Sequence, residues 1–136
     1  MSTLSTANIT SKAANTPPVI KDLNGTECGQ FVRAWINLKG DGTTAIRDSF
    51  NISSLTDNGT GDYTIAFTTS FSDTNYCVVI GGYNTNNSDG SWSSVGSSTT
   101  DAYPAGVTTG SVRLNTYNSS GSPQDQQAVS VAVFGA

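Results

Sequence analysis

Apolar and polar residues alternate in short runs along this chain, and clusters of Gly, Asn and Asp separate the runs. Alternation places successive side chains on opposite faces, which is the period of a β-strand; an amphipathic helix instead needs apolar residues three and four apart. In the run from Phe31 to Leu38, Val32, Ala34, Ile36 and Leu38 form one face, and Phe31 and Trp35 share the other with Arg33 and Asn37. Apolar groups on both faces suit a central strand or one at a subunit contact, and Trp35, lying mid-strand, reads as core. Tyr63, Ile65 and Phe67 alternate with Thr64, Ala66 and Thr68, the pattern of a sheet with one wet face. Tyr76–Ile80 is almost continuously apolar and predicts a central strand, with Cys77 as a buried small hydrophobe. Ser111–Tyr117 and Ala128–Phe134 alternate again, the latter with its valines on one face.

Turn chemistry divides these runs. Lys39-Gly40-Asp41-Gly42 predicts a tight turn, and Asp57-Asn58-Gly59-Thr60-Gly61-Asp62 is the clearest hairpin signal, because Asn-Gly readily takes positive φ. The segment from Thr44 to Leu55 reads as one irregular strand or two short ones. Ser, Thr, Gly and Asn make up nearly half of the 136 residues, and there is one Glu and one Met, so helix formers are scarce. The expectation is an all-β fold: an antiparallel β-sandwich or Greek-key barrel of about seven or eight short strands. Residues 1–30, poor in apolar groups and broken by Pro17-Pro18, predict an extended N-terminal stem or linker; residues 31–136 predict the sandwich domain.

Composition removes several functions. Six Lys and Arg against ten Asp and Glu give a net charge of −4, so the chain lacks the basic footprint of a nucleic-acid binder. No stretch is long and apolar enough to insert in a membrane, and the first ten residues lack the features of a secretory signal. Without a single His, Ser-His-Asp and Cys-His catalysis and the commonest zinc ligand are absent. Cys28 and Cys77 belong to no CxxC pair; two reduced thiols are the preferred reading, with one bridge left open. The acids are nearly all Asp in turns, so neither a glycosidase pair nor a metal site is assigned, and no cofactor is expected. Six Asn-X-Ser/Thr matches are what so much Asn, Ser and Thr produces by chance.

The stretch from Gly81 to Gly110 has no strand period and holds the candidate binding residues. Trp92, flanked by Tyr83 and Tyr103, stands among Asn84, Asn86, Asn87, Asp89 and Asp101. An aromatic face stacks on sugar C–H bonds while amides and carboxylates hold hydroxyls. The alternative is that Trp92 anchors a long loop or packs at a subunit contact.

Gly25-Thr26-Glu27, Arg33-Ala34-Trp35-Ile36-Asn37, Gly42-Thr43-Thr44-Ala45-Ile46-Arg47, Asn51-Ile52-Ser53-Ser54-Leu55 and above all Thr56–Thr64 form an ordered series, extended by Asp73-Thr74-Asn75-Tyr76. This series resembles the distal domain of bacteriophage tail fibres, most strongly those of marine phages, including phages of cyanobacteria. The likeness spans Gly25 to about Ile80, less than half of the chain; residues 84–136 resemble nothing nameable. The resemblance implies a homotrimeric fibre or tip protein, made in the host bacterial cytoplasm and carried in the virion. It implies attachment to a host cell-surface glycan or protein, with other virion tail proteins joined through the N-terminus. A structural spacer without a receptor site stays open as the alternative, and a small polysaccharide hydrolase ranks behind it.

Overall fold

The computed structural model describes residues 18–84, 92–96 and 106–135, with the backbone alone at Trp92. These residues form strands and turns and no helix. A two-stranded ribbon, β1 (Ile20–Lys21) and β2 (Glu27–Gly29), precedes the sandwich. Its turn is closed by Asp22, whose Oδ1 accepts the N–H groups of Asn24 and Thr26 at 2.9 and 2.8 Å. Eight strands follow: β3 (Val32–Lys39), β4 (Ala45–Phe50), β5 (Ile52–Gly59), β6 (Asp62–Phe67), β7 (Cys77–Tyr83), β8 (Trp92–Val95), β9 (Ser111–Tyr117) and β10 (Ala128–Phe134).

They make two antiparallel four-stranded sheets packed as a sandwich, ordered β4-β3-β10-β7 and β5-β6-β9-β8. The chain passes from β7 at the edge of one sheet to β8 at the edge of the other, pairs β8 with β9, and returns to lay β10 beside β7. That return is a Greek-key connection. The core lies between the sheets, where the alternation places it. Ala34, Ile36 and Leu38 from β3 and Val129, Val131 and Val133 from β10 face Ile65, Phe67, Val112 and Leu114, all buried.

One residue turns the chain from the first sheet into the second. Asn51, between β4 and β5, has φ of 59°, a conformation that Asn tolerates better than most non-glycine residues. Its side chain secures the corner: Nδ2 donates to the carbonyls of Arg33 and Thr69, both at 3.1 Å, and Oδ1 accepts the Thr69 N–H at 2.7 Å. The irregularity expected between Thr44 and Leu55 is this corner, which splits the segment into two strands on different sheets.

Four expectations are corrected. The Tyr76–Ile80 run does not make a central strand: β7 is an edge strand, and every second residue of it is exposed. Cys77 is therefore exposed rather than buried, and both cysteines are free thiols. Trp35 is only half-buried and stands on the outer face of its sheet, because Ala34 and Ile36 on either side of it fill the core. Val32 likewise leaves the inner face, since a bulge at the start of β3 shifts its register with β10.

An aromatic cluster closes the end of the sandwich where β3 begins and β10 ends. The Phe67 and Phe71 rings meet edge-to-face at 4.8 Å, Tyr76 lies 4.7 Å from Phe71, and the Arg33 guanidinium sits 5.1 Å above the Phe71 ring. Tyr76 Oη donates to the Thr108 or Ser111 carbonyl, 2.9 and 3.0 Å away, tying the loop before β9 to the cluster.

Candidate functional site

Register gives the sandwich two ends. At one, β3 begins at Val32 beside Phe134 and Cys77, so the chain enters from the ribbon and leaves at Gly135 side by side. At the other, Tyr83 pairs with Ala128, Lys39 with Ala45, Gly59 with Asp62 and Trp92 with Tyr117. The β3–β4 turn, the β5–β6 hairpin, the 118–127 loop, Asn84 and the start of β8 all belong to this far end.

The 118–127 loop makes the far end rigid. Asp125 Oδ1 accepts the Gly61 N–H at 2.7 Å and the Tyr63 hydroxyl at 2.8 Å. Burial, and then the Asp125 carboxylate, push the Tyr63 pKa well above its ordinary value, so the phenol stays a donor. Gln126, fully buried, donates from Nε2 to the Tyr117 carbonyl at 3.1 Å, while its backbone carbonyl accepts the N–H groups of Gly40 and Asp41 at 2.9 and 3.1 Å. One loop thus holds the turn of the first sheet and the hairpin of the second. Gly61 has φ of +67°, and a Cβ there would collide with the Thr116 carbonyl oxygen and the Gln124 backbone, so the hairpin needs glycine at this position. Asp125 and Gln126 carry no signal in the sequence. Nothing in their spacing distinguishes them from the solvated residues around them.

Of the candidate residues, Tyr83 is at the far end and 60% exposed, and Asn84 follows it, half-buried. The Trp92 backbone starts β8 at the same end, in register with Tyr117. β7 and β8 pack against each other along that side of the sandwich. Tyr83, Asn84 and the start of β8 are therefore brought to one end. Asn86, Asn87, Asp89, Asp101 and Tyr103 lie outside the described residues. The segment carrying Asp101 and Tyr103 is rooted elsewhere. Gly96 donates to the Arg113 carbonyl at 3.0 Å and Gly106 accepts from the Arg113 N–H at 2.7 Å, so that segment leaves and rejoins the sandwich beside the middle of β9.

Asp57, Asp73 and Asp62 are occupied with structure. Asp57 Oδ1 accepts the Gly59 N–H at 3.0 Å and its Oδ2 accepts the Thr44 hydroxyl at 2.6 Å. Asp73 holds the Asn75 N–H at 2.7 Å. Asp62 takes the Arg113 guanidinium in a two-pronged ion pair, Nε at 2.7 Å and Nη2 at 2.5 Å. Arg113 foremost, helped by Asn58 and opposed by partial burial, holds the Asp62 carboxyl below its usual range. No protein-family model, curated protein or solved structure matches this chain.

Proposed function

We propose that this chain is the distal domain of a phage tail fibre, attaching the virion as a homotrimer to a glycan or protein on the host cell surface. The observation that carries the reading is the separation of the two ends. The N-terminal lead-in meets the sandwich at one end, and Tyr83, Asn84 and the start of β8 stand at the opposite end, braced by the 118–127 loop. A module tethered behind and exposing aromatic and amide groups in front has the layout that adsorption requires, because loops on a rigid scaffold can vary without disturbing it. Weak binding at each copy is multiplied when several copies engage together.

Fluorescently labelled protein incubated with candidate host cells tests this. Cell-bound signal is expected, with a loss of about tenfold or more for Trp92→Ala or Tyr83→Ala, the size of a binding hot spot. Protein that binds no host cell, or binding that survives both substitutions together, rejects the far end as the attachment surface and leaves the spacer role.

A further inference from the structure

The outer faces of the two sheets differ in kind. On the β5-β6-β9-β8 sheet the outward rows are Ser54–Ala66–Ser111 and Thr56–Thr64–Arg113, a wet surface. On the β4-β3-β10-β7 sheet, register puts Phe50, Trp35, Ala132 and Val79 in one row and Val32, Phe134 and Cys77 in the next. Neither of these rows contains a charged residue. Phe50 is 55% and Val79 56% exposed, a large cost in water for a chain this poor in apolar groups.

We propose that this outer face is where copies of the chain meet, three such faces closing around a common axis. The proposal deepens the self-association in the preceding reading and needs no receptor. Charge favours a second copy as the occupant. The chain is acidic overall, yet of its described acids only Asp48 stands in the strand rows of this face, beside Arg47, so copies approach here without the repulsion they meet elsewhere. The threefold number comes from the preceding reading, and the dimensions of the wall accommodate it. Four strands spaced ~4.8 Å apart make a wall about 19 Å wide, and seven residues at ~3.3 Å make it about 23 Å long. Each copy contributes one such wall, about 440 Å² in projection, to a pair and to a trimer alike. Three walls about 19 Å wide enclose a triangular prism whose axis lies about 5.5 Å from each wall, close to half the ~10 Å spacing of packed sheets. Side chains from three copies therefore fill it. The corners are where β4 of one copy meets β7 of the next, and the most exposed members of the apolar row, Phe50 and Val79, are the two at those edges.

Light scattering on the full chain, with mass spectrometry after iodoacetamide treatment, tests the proposal. The expected wild type has three times the mass of one chain. Its Cys28 thiol, out on the ribbon, is alkylated at least ~10-fold faster than Cys77, which the closed walls shield. Val79→Asp, exposed in a single copy and so harmless to its fold, is expected to give a monomer with an unchanged far-ultraviolet spectrum and an equally reactive Cys77. Phe50→Asp, at the other edge, is expected to do the same. A wild-type monomer at 50 μM (about the working range for such measurements) overturns both this proposal and the homotrimer. A trimer that persists in both variants with Cys77 reactive overturns the choice of face and leaves the homotrimer standing. A dimer overturns the threefold closure.

Discussion

Asn51 shows how much a single side chain can decide. It supplies a positive φ that most residues avoid and three hydrogen bonds that lock the passage between sheets. Asn51→Ala removes the bonds and keeps the strain, and is expected to lower stability by about 2–3 kcal/mol, read as a fall in the urea midpoint. Asn51→Gly relieves the strain and is expected to fall between Ala and wild type. This corner was half legible in the sequence. The irregularity between Thr44 and Leu55 could be read from the broken alternation, but not that it moved the chain to another sheet, because the bonds of Asn51 go to residues 18 positions away in either direction. Trp35 was misread for a related reason: alternation says that Trp35 opposes Ile36, not which of the two faces is inside.

Pairing between strands decides what the elements do. The Asp62–Arg113 ion pair bridges β6 and β9, and Asn58 of β5 adds a hydrogen bond at 3.2 Å, so three strands of the second sheet share one charged clasp. Because the folded state lowers the Asp62 pKa, the clasp stabilises fully above the unfolded carboxyl's pKa near 3.8 and is lost as pH falls through the lower folded value. Asp62→Asn is therefore expected to cost about 1 kcal/mol at pH 6 and progressively less below pH 4 (about the range of carboxyl titration), until the two urea midpoints converge near pH 2. A gap between wild type and variant that widens in acid would contradict the assignment. Elements themselves were largely legible. The runs 63–67, 111–117 and 128–134 became strands with the expected faces inward, the run 31–38 became β3 with Val32 and Trp35 off the inner face, and the Asn58-Gly59 signal became the β5–β6 hairpin. Strand position was not. Tyr76–Ile80 looked like a central strand because its outward residues are apolar as well as its inward ones, a pattern an edge strand shares when its outer face is apolar.

At the scale of the molecule, the two ends and the two outer faces divide the work. If the apolar faces hold three copies together, adsorption depends on residues that never touch the receptor. Val79→Asp is expected to keep Tyr83 and the start of β8 intact yet reduce retention on host cells by about 100-fold, because multivalent engagement is lost while each single site remains. Retention assayed after washing, compared with Trp92→Ala, separates the two causes: monovalent affinity drops only in the latter. This division was the least legible feature. Residues 85–91 and 97–105 read as one polar stretch around β8, and only the hydrogen bonds of Gly96 and Gly106 to Arg113 show that the second segment is rooted apart from the first.

The entry of the chain at Val32, beside the exit at Phe134, has a mechanical outcome. A pull between that entry and the opposite end of the sandwich loads β3 along its length. That strand is hydrogen-bonded on both sides, to β4 and β10, so the pull shears many bonds at once instead of peeling them singly. The domain therefore resists a pull along β3, the direction in which attachment as proposed would load it.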